Sequence, residues 1–209
     1  MIHRRLLAGL AAALFLAGCA GGSGLGEGLG YGYYDLIRPG PEKVAGNRIQ
    51  IVSTIAWNRA PRNRYDISRE ENWTLNGPLL DNLSFIGGVE SGKSIVRQRR
   101  RAERQVPRFR PDMSPPEIAS MIETFYRIRA GSISFDISGL QPRTVFGHPG
   151  FQLDYHHLDS DEVQRQGRAV GAVINDRLYL ILFDAVRSHY FPAGLPEFER
   201  IVASATLSN

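Results

Sequence analysis

Residues 87–94 carry the residue pattern that nucleotide-binding proteins use to hold phosphate groups. The segment reads Gly-Gly-Val-Glu-Ser-Gly-Lys-Ser and satisfies G-x-x-x-x-G-K-[ST]. In such a loop, consecutive backbone N–H groups surround the phosphates, while the lysine, here Lys93, and the last hydroxyl contact phosphate and magnesium. An apolar segment at 180–183 ends in Asp184, which matches the acidic residue on the magnesium side. A P-loop type of nucleotide-binding protein is therefore one hypothesis for this chain.

The surroundings of residues 87–94 argue against a nucleotide site. P-loop proteins need a parallel sheet with helical crossovers, whereas Asn175 and Asp176 form a two-residue connection that is typical of an antiparallel hairpin. The segment 96–105, which would have to form the following helix, has too few apolar positions to pack on a sheet. We expect residues 87–94 to form a glycine-rich turn between strands, with nucleotide binding as the alternative.

A dense run of arginines follows this segment. It consists of Arg97, Arg99, Arg100, Arg101, Arg104, Arg108 and Arg110. Guanidinium groups bind phosphates and carboxylates through paired hydrogen bonds, so the first five arginines predict a binding face for an anionic partner. Phe109 is the only aromatic side chain in the run, whereas a groove for single-stranded nucleic acid needs several stacking surfaces. The run does not indicate nucleic acid, and its alternative interpretation is a solvated surface loop.

The histidines indicate no metal site. His156 and His157 are adjacent on a predicted strand, so they point to opposite faces and cannot bind one ion together. Asp154 and His156 share a face, as a catalytic pair would require, which leaves an envelope hydrolase as a second alternative. No serine lies in a recognisable nucleophile elbow. We therefore predict no catalytic residue, no metal ligand and no cofactor, and expect the protein not to be an enzyme.

The N-terminus resembles the signal of a bacterial lipoprotein. A short basic segment precedes thirteen mostly apolar residues at 6–18, too few to span a bilayer comfortably. Residues 16–19 read Leu-Ala-Gly-Cys and match a lipobox, and Cys19 is the only cysteine of the chain. The resemblance implies that residues 1–18 are a signal peptide and that Cys19 receives lipid. It also implies a location in the bacterial cell envelope, and Ala20, in place of an aspartate, favours the periplasmic face of the outer membrane.

Removal of the signal would change the charge and leave one domain. The precursor has a net charge of +4, and the loss of Arg4 and Arg5 lowers it to +2. So small a charge does not indicate a nucleic-acid-binding protein. Residues 19–46, rich in glycine at their start, predict a flexible tether. Residues 47–209 are numerous enough to form one domain with a hydrophobic core.

Two helices and several strands are predicted within this domain. Ser114 and Glu117 form a capping box that begins a helix over 115–129. Strands are expected at about 132–138, 143–147, 150–158, 164–174 and 177–184. Residues 178–183 show no polar alternation, so the last strand should be covered on both faces. A final helix carries an apolar stripe formed by Leu195, Phe198, Val202 and Ala205, with Pro196 near its start. This order predicts an α+β fold, a single-domain antiparallel sheet with packed helices.

The C-terminal half of the chain resembles the PsbP/Mog1-like α/β/α sandwich. The resemblance is carried by the late strand segment GAVINDRLYLILFDA and the terminal helix segment FPAGLPEFERIVASATL, and it would cover roughly residues 47–207. It implies a binding or assembly role, without assigning any site residue. We therefore expect a lipid-anchored, non-catalytic binding or assembly module. Its partners would be the membrane, through lipidated Cys19, and an envelope protein or an anionic lipid or glycan.

Overall fold

The computed structural model describes residues 33–62, 66–97 and 106–208, which belong to one compact unit. These residues form eleven strands and two helices. The elements are β1 (Asp35–Ile37), β2 (Gly40–Val44), β3 (Ile49–Ser53), β4 (Trp57–Arg59), β5 (Glu70–Thr74), β6 (Asp81–Val89), α1 (Pro115–Arg129), β7 (Ser134–Val145), β8 (His148–Leu158), β9 (Gln164–Ile174), β10 (Arg177–Val186), α2 (Tyr190–Ser204) and β11 (Thr206–Leu207). Cys19, Arg99, Arg100, Arg101 and Arg104 lie outside the described residues. No helix in the described ranges is long and apolar enough to cross a membrane.

The strands form two antiparallel sheets. The larger sheet has eight strands in the order β1-β4-β5-β6-β10-β9-β8-β7, and the smaller has the order β11-β3-β2. The hairpin between β9 and β10 turns through Asn175 and Asp176, which both have positive φ, of 49° and 60°. Such a two-residue turn matches the right-handed twist of the strands it joins. The predicted antiparallel hairpin is therefore confirmed.

Strand β10 lies in the middle of the molecule and packs on both sides. Leu178, Leu180 and Leu182 pack into a core with α1, whereas the alternate residues Ile181 and Phe183 pack into a second core with α2 and the small sheet. All of these side chains are buried. The absence of polar alternation therefore correctly predicted a strand covered on both faces. The layers are α1, the large sheet, and then α2 together with the small sheet.

Helix α1 has the bounds and the buried face that the sequence predicts. The backbone N–H of Ser114 donates to Glu117 Oε2 at 2.7 Å, which satisfies one free donor at the start of the helix. The apolar side chains at 118, 121, 122 and 125 are buried against the sheet. The bounds of this helix and its buried face therefore follow from local sequence signals.

Residues 33–46 differ from the prediction. They were expected to belong to the tether, yet β1 pairs with β4 and β2 pairs with β3. Ile37 and Val44 are buried in the core shared with α2. These strands are only three and five residues long, and β2 begins with Gly40 and Pro41, which are unfavourable in strands. The expected start of the folded part near Asn47 is corrected accordingly.

Two further elements are longer than predicted. The segments expected at 132–138 and 143–147 form one edge strand, β7, which bends at a register shift between Ile137 and Gly139. Helix α2 begins at Tyr190, so Pro196 lies inside it and not near its start. The early turn forms because Phe191, like Phe198, stacks against Phe183 of β10, with ring centroids 5.7 and 5.8 Å apart. Tertiary packing therefore extends both elements beyond their local signals.

Candidate anion-binding site

The first two glycines of the segment 87–94, Gly87 and Gly88, have a structural role in β6 of the large sheet. Strand β6 pairs with β10 in a register that changes between Leu178 and Leu180, so that Gly87 and Gly88 together oppose one residue of β10. This arrangement is a β-bulge, and Gly88 adopts the left-handed φ of 68° that such bulges require. A Cβ on Gly87 would lie 2.9 Å from both the Cβ and the carbonyl oxygen of Ala45. Packing and backbone conformation thus explain this glycine pair.

The loop that follows β6 does not have P-loop geometry. Gly92 N–H donates to Phe109 O at 2.8 Å, and Lys93 N–H donates to Glu90 O at 3.0 Å. Two N–H groups that a P-loop would aim at phosphate are thus already used. No helix begins between Lys93 and Arg97, the end of the described range. This geometry contradicts the alternative of a P-loop nucleotide site at 87–94.

The carboxylate of Asp184 is also already bonded to other side chains. Its two carboxylate oxygens contact Arg165 Nε at 2.5 Å and His157 Nε2 at 2.8 Å. Burial alone would lower the pKa of Arg165, but the charge and hydrogen bond of Asp184 outweigh burial and raise it. Asp184 therefore neutralises a buried arginine and is not a magnesium ligand in the arrangement described.

A Ser-His-Asp constellation that the sequence did not suggest is centred on the same histidine. Ser132 Oγ lies 3.2 Å from His157 Nδ1, on the opposite side of the ring from Asp184. Ser132 and His157 are only 8% and 3% exposed, and Ser132 Oγ donates at 2.8 Å to the carbonyl oxygen of Ser134. A nucleophile must reach its substrate, whereas this hydroxyl is enclosed and already bonded to the backbone. We interpret the constellation as a structural network.

The predicted pair Asp154 and His156 lies on the other face of β8. Asp154 there accepts hydrogen bonds from Arg168 Nε at 2.6 Å and from Gln152 Nε2 at 2.8 Å. Arg168 also contacts Glu199 of α2 at 2.7 Å. Asp154 therefore belongs to a network of ion pairs between the sheet and α2. It does not orient His156 as an aspartate in a catalytic pair would.

A cavity of about 310 Å³ opens beside the segment 87–94. Three of its lining side chains are cationic, namely Arg69, Lys93 and Arg97, and Glu90 is the one acidic residue of the lining. Ser68 and Ser94 add hydroxyl groups, and the remaining lining is apolar or glycine. We call this cavity the basic pocket. The residues of the lining have a formal net charge of +2, so the pocket is suited to bind an anion.

Hydrogen bonds and ion pairs hold the walls of the basic pocket in place. Arg69 Nη1 donates to Gly88 O at 2.9 Å, which fixes the guanidinium against the bulge. Glu90 contacts Arg177 at 2.8 Å and Arg69 at 3.7 Å, so its charge is shared by two arginines. The turn that carries Lys93 is joined to Phe109 by a second backbone hydrogen bond, of 2.7 Å. These contacts leave Lys93 as an exposed cation on a supported turn.

The basic pocket brings together residues that belong to separate patterns in the sequence. Lys93 comes from the phosphate-loop pattern and Arg97 from the arginine run. Arg108, further along that run, donates from Nη1 to Gly92 O at 2.8 Å and thus packs against the same turn. Arg69 had no sequence signal, because it reaches the site through the pairing of β5 with β6. The phosphate-loop pattern thus marks a basic surface, although it does not form a P-loop.

Comparison with known proteins identified similar folds and no family. No protein-family model matches the chain, and no curated protein does. The solution structure of cyanobacterial PsbP (CyanoP) from Synechocystis sp. PCC 6803 aligns with a TM-score of 0.51 and 16% identity, covering 92% of this chain and 99% of that one. The Ran-binding protein Mog1p of Saccharomyces cerevisiae gives 0.49 and 6%, covering 83% and 95%. LpqN of Mycobacterium tuberculosis, involved in cell envelope biogenesis, gives 0.37 and 11%, covering 85% and 86%.

The similarity to CyanoP extends over nearly the whole of both proteins, but at 16% identity it concerns the fold alone. The sheet order, the two helical layers and this alignment agree with the α+β sandwich predicted from the sequence. The chain therefore has the PsbP-like fold, a single-domain antiparallel sheet with helices on both faces.

Proposed function

We propose that this chain is a lipid-anchored bacterial lipoprotein of the cell envelope that acts as a non-catalytic binding or assembly module. Its binding face would be the basic pocket together with the adjoining arginine run at 97–110. The observation that carries the proposal is the convergence of Arg69, Lys93 and Arg97 in one cavity. The partner would be an envelope protein or an anionic lipid or glycan.

The arrangement of the remaining polar residues supports a binding role over catalysis. His157 and Asp184 are enclosed in the core and bonded to Ser132 and Arg165. Asp154 is bonded to Arg168 on the other face. In the part of the chain that the structure describes, these two polar clusters are thus bonded to partners that stabilise the fold. The PsbP-like fold supports the same role through the binding and assembly functions that the resemblance implies.

The proposed location rests on the N-terminal sequence. The lipobox at 16–19 would make Cys19 the lipidated first residue of the mature protein, and Ala20 favours the outer membrane, facing the periplasm. Acyl chains stabilise membrane attachment by about 0.8 kcal/mol per buried methylene, so more than one chain gives a stable anchor.

The anchor is tested by the intact mass of protein from the membrane fraction, for the wild type beside Cys19→Ser. The expected wild-type mass begins at residue 19 and includes acyl chains, and the variant should lack both the cleavage and the added mass. An unprocessed wild-type protein in the cytoplasm would contradict the proposed location.

The binding face is tested by crosslinking in intact envelopes. Reversal of charge at Arg99, Arg100 and Arg101 together should weaken or abolish crosslinks to an anionic partner. A matched control reverses Arg38, Arg127 and Arg187, which are exposed and lie outside the lining of the basic pocket. Crosslinks that are equal in the two triple variants would exclude the arginine run from the binding surface.

A further inference from the structure

We infer that the basic pocket recognises a phosphate group, specifically a phosphomonoester, through Lys93 and the guanidinium groups beside it. This inference rests on the proposed function, because it names the chemical class of the anion that the binding face takes. It differs from the nucleotide hypothesis, since it needs neither a P-loop nor magnesium.

The charge of the lining favours phosphate over a single carboxylate. The lining contains three cationic residues and one acidic residue, Glu90, whose carboxylate is already in contact with Arg69 and Arg177. A phosphomonoester carries about −1.5 to −2 charges at neutral pH, whereas a carboxylate carries one, so the phosphate is attracted more strongly to Lys93 and to the other cations of the lining.

The hydrogen-bond donors of the lining favour the same group. Lys93 provides three N–H donors on a compact cation, and the guanidinium groups provide planar donor pairs. Ser68 and Ser94 also belong to the lining, and a serine hydroxyl can donate one hydrogen bond. A phosphomonoester offers three strongly accepting oxygens, which can take several of these bonds at once.

Lys93 is the most direct probe of this site. Among the described residues, no carboxylate lies within ion-pair distance of its ammonium group. It is exposed, so its replacement should not disturb the core. The volume of about 310 Å³ is near the lower end for ligand sites, which fits a headgroup and not an extended chain.

The composition of the chain allows a selective experiment. Lys93 and Lys43 are its only two lysines, and Lys43 is an exposed residue of β2 outside the lining. Reductive methylation with carbon-13 labels both lysine side chains, preserves their charge and leaves one N–H donor on each ammonium group, so each lysine gives its own resonance. Glycerol 3-phosphate should shift the Lys93 resonance to saturation and leave that of Lys43 in place. Acetate at the same ionic strength should shift neither.

Two variants give the matched comparison. Lys93→Ala should weaken the binding of glycerol 3-phosphate about tenfold or more, as expected for the loss of one charge-assisted contact. Lys43→Ala should bind as the wild type does. Equal responses to acetate and glycerol 3-phosphate, or parallel shifts of both lysines, would overturn the inference, because they would indicate only general charge attraction.

Vesicles distinguish the sources of the phosphate group. Phosphatidylcholine vesicles that contain phosphatidic acid carry a phosphomonoester, and those that contain phosphatidylglycerol carry a phosphodiester. If vesicles that contain phosphatidic acid displace glycerol 3-phosphate, the result supports a lipid headgroup as the ligand. If glycerol 3-phosphate stays bound in their presence, the result supports a soluble phosphomonoester. A polyglutamate peptide that binds through Lys93 while no phosphate compound does would overturn the inference yet leave the proposed binding function standing, with an acidic protein as partner.

Discussion

His157 of β8 and Asp184 of β10 form a buried contact of 2.8 Å across β9, the strand that lies between theirs in the large sheet. Arg165 binds the other oxygen of the same carboxylate, and its Nη1 donates at 2.8 Å to the carbonyl oxygen of Leu79. Strands β8, β9 and β10 each contribute one of these charged or titratable side chains. Through Leu79, the network connects the loop before β6 to the centre of the sheet. It lies on the face of the sheet that α1 covers.

The first prediction concerns Asp184→Asn. The variant keeps the size of the side chain but leaves the guanidinium of Arg165, which is 5% exposed, without its carboxylate. Removal of one partner from a buried ion pair costs about 3–5 kcal/mol in the free energy of unfolding. Urea denaturation followed by circular dichroism measures this loss. Asp112→Asn, at an exposed ion pair with Arg110, is the control and should change stability by about 0.5 kcal/mol or less.

The same variant separates structure from binding. Under conditions in which Asp184→Asn remains folded, its affinity for glycerol 3-phosphate should equal that of the wild type, because Asp184 is not part of the basic pocket. A selective loss of phosphate binding without loss of stability would reverse the assignment and return Asp184 to a ligand-binding role.

The second prediction concerns the phenols that lie between α1 and β8. Tyr155 donates to Tyr126 Oη at 2.6 Å, and both rings are buried. Burial raises the pKa of both phenols well above the usual value, and the nearby negative charge of Asp184 adds to this effect. In the unfolded chain both phenols would ionise near pH 10. Since the folded pKa is the higher one, their stabilising effect is present below pH 10 and is lost as pH rises above it.

The free energy of unfolding of the wild type should therefore fall above about pH 10, and absorbance at 295 nm should show two tyrosines that ionise only when the protein unfolds. Tyr155→Phe removes one of these groups and should make the alkaline decline less steep. It also deletes the hydrogen bond to Tyr126, at a cost of about 1 kcal/mol at neutral pH. An identical alkaline slope in wild type and variant would contradict the explanation.

The third prediction tests why the glycines at 87–88 are present. Gly87→Ala should lower stability by about 1–3 kcal/mol, because the new methyl group would meet the backbone of Ala45 at 2.9 Å. Gly139→Ala is the control, since its nearest contacts, at 3.6 Å and beyond, are ordinary. Thermal unfolding compares the two. A stable Gly87→Ala protein would remove the packing explanation for this glycine.

Local signals predicted the parts of the fold that depend on local interactions. The capping box at Ser114 specified where α1 begins, and the two-residue connection at 175–176 specified a hairpin. Strands β1 and β2 could not be predicted in this way, because such short segments are stabilised by pairing with β4 and β3, which lie elsewhere in the chain.

The buried polar network and the basic pocket depended still more on distant pairing. His157 and Asp184 are 27 positions apart, and they meet only because the register of β8, β9 and β10 aligns their ends. A shift of one residue in either register would point one of them to the other face. Arg69 likewise reaches the basic pocket through pairing of β5 with β6. Spacing in the sequence carries no information about these registers, so of the three cationic residues of the basic pocket only Lys93 and Arg97 could be predicted from the sequence.

The fourth prediction concerns the ion pairs between α2 and the sheet. Glu199 contacts Arg143 Nη2 at 2.6 Å and Arg168 Nη1 at 2.7 Å. Partial burial alone would raise the pKa of Glu199, but hydrogen bonds and charge from the two arginines outweigh burial and lower it. A carboxylate with a lowered folded pKa stabilises the fold above its unfolded pKa, about 4.3, and this contribution is lost as pH falls through the folded pKa.

Glu199→Gln should therefore reduce the free energy of unfolding at neutral pH by about 1 kcal/mol or less, since the pair is partly exposed. The difference from the wild type should shrink at high salt and vanish at a pH below the folded pKa, where the wild-type carboxylate is also neutral. Urea denaturation at neutral and acidic pH, each at low and high salt, measures these four differences. A difference that persists unchanged in acid would show that shape, and not charge, accounts for the role of Glu199 between α2 and the sheet.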